Sequence, residues 1–304
     1  MTEVSADHGR APARPWSVSQ THAMAECPRA WWLRYVAKAQ PAQPRPVKQL
    51  IGSAIHAGLE AAYRAAQADI PPTGSVPRAG LPLSTTHGLA ALAAFSAYWD
   101  ANGAGVREYE REDAERLLLE LLDVLITPHV REILGVEEKF NLRLFPQEPN
   151  LSPVTVHGVM DLVLNTSRPD EKSILIRDWK LGPVPTDERE LQRNTQLCTY
   201  AGAAMHLWPW VRKITVALYS IRERREIRTE LHPDSIEHAA KELAHDAKTA
   251  HIRAETKWVE PITGEHCGGC RFRSYCPKMN RTRPPVMDGV DVAAERARLA
   301  QLLH

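Results

Sequence analysis

The stretch Thr155–Lys180, T-V-H-G-V-M-D-L-V-L-N-T-S-R-P-D-E-K-S-I-L-I-R-D-W-K, reads as two strands and a turn. Thr155–Leu164 and Ser173–Trp179 are β-branched and apolar, and N-T-S-R-P-D-E between them is turn-like. Each strand carries one aspartate, Asp161 and Asp178. If the strands pair as a hairpin, both carboxylates face one cleft, where they repel unless a cation lies between them. Mg²⁺ or Mn²⁺ takes oxygen ligands and leaves positions for water and a phosphate oxygen. Lys180 stands two residues beyond Asp178 and shares its face of the strand. It can orient water or stabilise negative charge in a phosphoryl transition state. Trp179 then points into the core, and its carbonyl is also available as an oxygen ligand.

Outward from this hairpin the chain alternates between helix and strand. Ser17 with Gln20 fits a capping box opening a helix to about Lys38, with Pro28 forcing a break or new start. Gln40–Lys48 is a loop. Gly52–Ala68 is helical, with Ile55, Leu59 and Tyr63 on one face. Ile70–Ser84 is a loop. Helices follow at 87–101 and 107–134, the second bent at Pro128. Val136–Leu144 alternates as a half-buried strand. Downstream, 187–207 is a helix, 213–221 and 226–231 are strands, 233–256 is a long helix, and 291–303 is helical. The basic run Ile221–Arg228, I-R-E-R-R-E-I-R, reads as a solvated strand or hairpin.

Hydrophobic residues make up 43% of the 304 positions, charged residues 25%, and net charge is only +1, so any phosphate binding depends on local charge. No apolar run reaches the ~20 residues of a membrane span. The first residues lack a secretory h-region, so the expected compartment is the cytoplasm. Thiols stay reduced there, and five cysteines favour metal ligation over disulfides. No Gly-rich loop for an ATP phosphate is present.

The cysteines are placed unevenly. Cys27 stands near the start, and Cys267, Cys270 and Cys276 form C-x2-C-x5-C about 240 residues later. Four thiolates serve zinc or an iron–sulfur cluster. A one-plus-three arrangement is less typical of zinc, which takes two close pairs. Such a clasp would convert metal binding into folding free energy. Trp31, Trp32, Phe272 and Tyr275 are candidates to shield it. Cys198 reads as a buried small apolar residue.

Taken in order, these motifs resemble the RecB-type branch of the PD-(D/E)xK nuclease superfamily. S-V-S-Q with C-P-R-A-W is similar to the family's opening helix, G-S-A-I-H (Gly52–His56) to its histidine motif, and V-E-E-K-F (Val136–Phe140) to its glutamate strand. G-V-M-D and R-D-W-K-L-G are similar to its acidic motifs, and Q-L-C-T-Y to its Q-x-x-x-Y helix. The resemblance implies an α/β fold: a restriction-endonuclease-like mixed central sheet flanked by helices, with an N-terminal helical insertion and a cysteine-ligated C-terminal segment. One nuclease domain would span 15–280, with 51–134 mostly helical, 135–232 the catalytic sheet core and 257–280 the cluster-binding segment. Residues 1–14 would be a disordered tail and 281–304 a partly helical one.

By the same resemblance His56, Asp161, Asp178 and the Trp179 carbonyl hold Mg²⁺ or Mn²⁺, and Lys180 is catalytic. Gln196 and Tyr200 shape the site and contact DNA. Glu137 or Glu138 is the strand glutamate, with Glu137 preferred. Cys27, Cys267, Cys270 and Cys276 would share a 4Fe–4S cluster, as in the iron–sulfur members. The implied activity is a DNA exonuclease acting on single strands or ends, in recombination, repair or CRISPR adaptation. Because no helicase motif is present, unwinding would fall to a helicase or CRISPR-adaptation partner protein. The rival classes are a non-catalytic nucleic-acid-binding module and a zinc-stabilised interaction protein.

Overall fold

The computed structural model describes residues 15–68, 85–124, 133–144, 154–280 and 289–303. The expected N-terminal tail, the 70–84 loop, the bend at Pro128 and residues 281–288 of the C-terminal tail lie outside them. The helices are α1 Val18–Glu26, α2 Pro28–Tyr35, α3 Val47–Ala68, α4 Thr85–Asn102, α5 Glu108–Val124, α6 Glu188–Gln192, α7 Thr195–Leu207, α8 Pro233–Ala254 and α9 Val292–Leu303. The strands are β1 Ile133–Leu144, β2 Val154–Asn165, β3 Ser173–Lys180, β4 Lys213–Ser220 and β5 Arg225–Glu230. They form one mixed sheet in the order β1-β2-β3-β4-β5, as expected of a restriction-endonuclease-like α/β fold.

β2 and β3 are antiparallel, with Leu162 opposite Arg177. One further step in that register brings Asp161 beside Asp178. β3 and β4 are parallel, Asp178 opposite Leu218, so the chain must cross over between them. The α6–α7 segment makes that crossing. β4 and β5 are an antiparallel hairpin. The basic run lies in this hairpin, where Arg224 pairs with Glu120 and Arg222 lies 3.7 Å from Asp113.

Three elements depart from their expected bounds. β1 begins at Ile133 rather than Val136, so residues 133–134, expected to end the 107–134 helix, are extended. α3 begins at Val47 rather than Gly52, because Pro46 starts it: the Gln49 and Leu50 amides donate to the Pro46 carbonyl at 2.9 and 3.2 Å. Proline at a helix start loses no bond the helix would use. The expected single helix over 187–207 is two. Asn194 caps α7, its side chain accepting from the Leu197 amide at 3.0 Å, and such a cap competes with helix continuation.

The chain divides into two compact units, each gathered from separate segments. One comprises 45–140 and 159–239. Its core holds Leu50, Ile55, Leu59 and Tyr63 of α3, with Phe95, Leu118, Leu162 and Trp179. Gly58 permits the close approach of α3: a Cβ there would sit 2.6 Å from Leu118 Cδ2 and 3.1 Å from the Ala91 carbonyl oxygen.

The other unit comprises 1–44, 141–158 and 240–304. Within it, segments far apart in sequence are bonded together. The Trp16 amide donates to the Thr155 carbonyl and the His157 amide to the Trp16 carbonyl, both at 2.8 Å. Trp32 Nε1 donates to the Thr256 carbonyl at 3.1 Å, and the Ala42 amide to the Arg271 carbonyl at 2.9 Å. Cys27 ends α1 and caps α2, with Pro28 in the first turn, which accounts for the break expected at Pro28.

Candidate functional site

Within the unit of 45–140 and 159–239, α3 carries His56, β1 Glu137, β2 Asp161, β3 Asp178 and Lys180, and α7 Gln196 and Tyr200. One ligand atom each from His56, Glu137 and Asp161 lie within 4.8 Å of one another. His56 Nδ1 is 3.6 Å from Asp161 Oδ2 and 3.8 Å from Glu137 Oε1. The other ring nitrogen, Nε2, lies 3.1 Å from the Trp179 carbonyl oxygen. A proton on Nε2 donated there fixes the ring and leaves Nδ1 aimed at the carboxylates. The Trp179 carbonyl, expected as a metal ligand, lies within hydrogen-bonding reach of His56.

Asp161 is held by its backbone neighbour across the hairpin. The Trp179 amide donates to Asp161 Oδ2 at 2.8 Å. Glu137 sits in β1 with φ of 47°. This left-handed conformation is costly for a residue with a side chain and is found at functional sites. It breaks the alternation of β1, where Gly135 and Val136 are both buried and Glu137 and Glu138 both half-buried. Of the two candidate glutamates, Glu137 is the one beside His56.

Asp178 lies outside this tight group and is 2% exposed. Its Oδ1 accepts from Gln196 Nε2 at 3.2 Å. Lys180 Nζ forms an ion pair with Oδ2 at 2.6 Å, and that buried oxygen accepts no hydrogen bond from the other described residues. Gln196 joins the set. Its Oε1 accepts from Lys180 Nζ at 3.0 Å, and its Nε2 also donates to the Tyr200 hydroxyl at 2.6 Å. With donor and acceptor ends both engaged, the amide orientation is determined. Trp179 is buried on the opposite face, stacked on Tyr63 at 6.2 Å between ring centroids.

The electrostatics reflect three carboxylates gathered around one imidazole. Burial opposes a charge on His56, but its hydrogen bond with Glu137 and the charges of Asp161 and Asp178 outweigh it and lift the imidazole to about 9. Burial, and then the charge of Asp178, push Asp161 up to about 7. The Tyr200 hydroxyl is raised well above its ordinary value, first by burial and then by Asp178 and Asp161. Both carboxylates and imidazole would take their metal-binding forms more readily with a cation present.

The donor set fits a hard divalent ion: an imidazole nitrogen, two carboxylates in mutual reach, and the buried Asp178 oxygen without a hydrogen bond. Such an ion would polarise a phosphoryl oxygen and make a bound water acidic near neutral pH. The chain's own groups supply the rest. Lys180, steered by Asp178 and Gln196, sets a positive charge at the edge of the site, where it can neutralise charge on a phosphoryl oxygen. A cleft of about 520 Å³, lined by Arg45, Ser53, His56, Tyr98 and Glu137 among others, opens beside the carboxylates.

The cysteines lie in the other unit. Cys27 is buried, and Cys267, Cys270 and Cys276 are half-buried. Burial raises the Cys270 thiol, a hydrogen bond from the Phe272 amide lowers it, and the charges of Cys27, Cys276 and Cys267 raise it again. Cys267 Sγ accepts from the Gly264 amide at 3.4 Å. Among the described residues, no three cysteine sulfurs lie within 4.8 Å of one another. Trp31, Trp32 and Phe272 are buried, and Tyr275 is half-buried. Cys198, on α7, is buried as expected.

No helix among the described residues is long and apolar enough to cross a membrane. No protein of curated function matches the sequence. Among solved structures, a provisionally named exonuclease from Eubacterium rectale aligns with a TM-score of 0.51 at 11% identity, covering 95% of this chain and 100% of that one. At that identity the likeness speaks for the fold. The structure of SSO0001 aligns at a TM-score of 0.29 and 14% identity over 47% of this chain and 59% of that one, too weak to carry an argument. The family model of the PD-(D/E)XK nuclease superfamily matches residues 15–277, nearly all of the described sequence. The chain belongs to the PD-(D/E)XK nuclease superfamily.

Proposed function

We propose that the protein is a Mg²⁺- or Mn²⁺-dependent DNA exonuclease of the RecB type, acting on single strands or DNA ends in recombination, repair or CRISPR adaptation. The observation that carries this reading is the pairing of two arrangements in one unit. His56, Glu137 and Asp161 form a cation-sized group, and Lys180 stands beside Asp178, linked to it through Gln196. A purely binding module gains nothing from buried carboxylates facing phosphate, because they repel it. Residues 15–280 would form the catalytic domain, active in the cytoplasm with a helicase or CRISPR-adaptation protein to unwind or deliver DNA.

Cys27, Cys267, Cys270 and Cys276 would hold a structural 4Fe–4S cluster. Two observations support this. The four thiols act electrostatically on one another at Cys270. Among the described residues no three of the sulfurs lie within 4.8 Å of one another, whereas a tetrahedral zinc site with Zn–S bonds of ~2.3 Å sets its sulfurs about 3.8 Å apart.

The test is hydrolysis of single-stranded DNA, duplex DNA and RNA by anaerobically purified protein, with Mn²⁺, Mg²⁺ or chelator. Cleavage of DNA from its ends with either metal and none with chelator is expected. Metal-independent cleavage, or binding without cleavage, would sink the proposal. Iron and sulfide analysis tests the cluster: about four irons per chain are expected, with loss in Cys27→Ser. One zinc and no iron would overturn that part alone.

A further inference from the structure

Arg29 is the least expected residue in the molecule. It lies on α2, two positions after Cys27, and is only 1% exposed. Its guanidinium carbon lies over two indoles, 4.7 Å from the Trp32 centroid and 5.0 Å from that of Trp258. Its N–H donors have no such company: Nε, Nη1 and Nη2 are all buried with no hydrogen-bond partner among the described residues. Cation–π contacts offset part of the desolvation of a guanidinium. They do not satisfy its N–H donors, which lie in the plane of the group and need acceptors there.

Among the described residues, no carboxylate is paired with it. Trp258 Nε1 donates to Glu260, and Glu260 is engaged by Arg296. Burial pulls the guanidinium down to about 10, and the charges that oppose this are those of Cys276 and Cys27. A neutral thiol is a poor acceptor, and a thiolate a good one. A buried charge without a partner is unfavourable enough that native proteins either pair it or neutralise it. The site that can supply the missing negative charge is the cysteine site itself. Four thiolates around a 4Fe–4S core, or around zinc, carry a net charge of about −2, with sulfur acceptors turned outward.

We propose that Arg29 is the buried counter-cation of the metal–thiolate centre, donating its in-plane N–H groups to the sulfurs of the Cys27–Cys276 side and holding that centre's negative charge inside the fold. This rests on the cluster reading given above. Two consequences follow from charge alone. Reducing the cluster by one electron adds a negative charge, so Arg29 favours the reduced form and raises the reduction potential. Without the metal, the same guanidinium is an unpaired buried charge, so it destabilises the metal-free chain while stabilising the loaded one.

The experiment uses the full-length protein, purified anaerobically, as wild type, Arg29→Met and Arg29→Lys. Three quantities are read: the cluster midpoint potential by dye-mediated dithionite titration, the rate of iron loss to an excess of chelator, and the urea midpoint of the metal-free, reduced chain. For Arg29→Met we expect a more negative midpoint potential and iron loss faster by about 10- to 100-fold, the usual effect of removing a group that supports metal ligands. We also expect a higher urea midpoint for the metal-free chain. Arg29→Lys keeps the charge and should restore most of the potential. If Arg29→Met fails to hold iron at all, the Lys variant and the metal-free urea midpoint still decide the question.

A wild-type potential and iron-loss rate in Arg29→Met, or a metal-free form less stable than wild type, would overturn the proposal while leaving the cluster reading intact. A wild-type protein that takes up neither iron nor zinc on reconstitution would overturn the metal–thiolate centre, and the counter-cation role with it. If wild type holds one zinc instead, zinc transfer to chelator replaces the potential, with the same acceleration expected in Arg29→Met.

Discussion

Binding of Mn²⁺ to the carboxylate–imidazole site should expel protons, and the number can be worked out from the site. His56, held at about 9 chiefly by Glu137, Asp161 and Asp178 against its burial, is almost wholly protonated at pH 7 when no metal is bound. Asp161, raised to about 7 by burial and by Asp178, is then about half protonated. Both must be unprotonated to donate an electron pair to a cation. At pH 7 each ion bound should therefore release between one and two protons, and log K should rise with pH at a slope of roughly 1 to 2. Above pH 8 Asp161 is ionised in the empty site, and release should fall to about one proton, from His56. Isothermal titration calorimetry in two buffers of different ionisation enthalpy measures this count. In Asp161→Asn the pH 7 release should drop toward one, with weaker affinity. Release near zero at pH 7, or an affinity that does not change between pH 6 and 8, would show that His56 and Asp161 are not ligands of the ion.

Three other outcomes follow from the packing and the polar network. Gly58→Ala should destabilise the protein by about 1–3 kcal/mol, because the new Cβ meets Leu118 Cδ2 at 2.6 Å and a backbone oxygen at 3.1 Å; thermal unfolding would register this as a fall of several degrees. Gln196→Leu should lower kcat on the order of 10- to 100-fold and Tyr200→Phe by less, because Gln196 bonds both Lys180 and Asp178 whereas the Tyr200 hydroxyl bonds Gln196; equal losses would show that Tyr200 acts independently. Asn194→Ala should cost about 1 kcal/mol through loss of the α7 cap, read as a lower urea midpoint, with the Mn²⁺ stoichiometry unchanged.

Much of the catalytic core was legible in the sequence because its signals are local. The hairpin of β2 and β3 follows from β-branched alternation on either side of a turn. The shared face of Asp178 and Lys180 follows from the two-residue period of a strand, as does the burial of Trp179 between them. Pro28 marked the α1–α2 break by its missing amide. What stayed hidden depends on contacts between distant residues or on subtle competition. Asn194 divides one helix into two by a side-chain cap, in a stretch whose helical pattern continues through it. Glu137 reaches His56 through a left-handed φ that no strand pattern announces. Gly58 looks like a weak helix residue until Leu118 is placed against it. Arg29 is charged, and a charged residue is expected at the surface; only the folded positions of Trp32 and Trp258, more than two hundred residues apart in sequence, show that it is buried. Nor could the sequence show that each compact unit is assembled from discontinuous segments, since that depends on which distant segments pack together.

The central claim is that Asp178 and Lys180 belong to a metal-dependent phosphodiesterase centre. It is tested most directly by measuring Mn²⁺-dependent release of nucleotides from end-labelled single-stranded DNA by wild type, Asp178→Ala and Lys180→Ala, each first shown to be folded by circular dichroism. The account predicts chelator-sensitive release by wild type. It predicts a loss of roughly 10²- to 10³-fold or more in Lys180→Ala, the scale of removing one group that stabilises transition-state charge, and a larger loss in Asp178→Ala, where the ion is misplaced or absent. Release at the wild-type rate by either folded variant would contradict it.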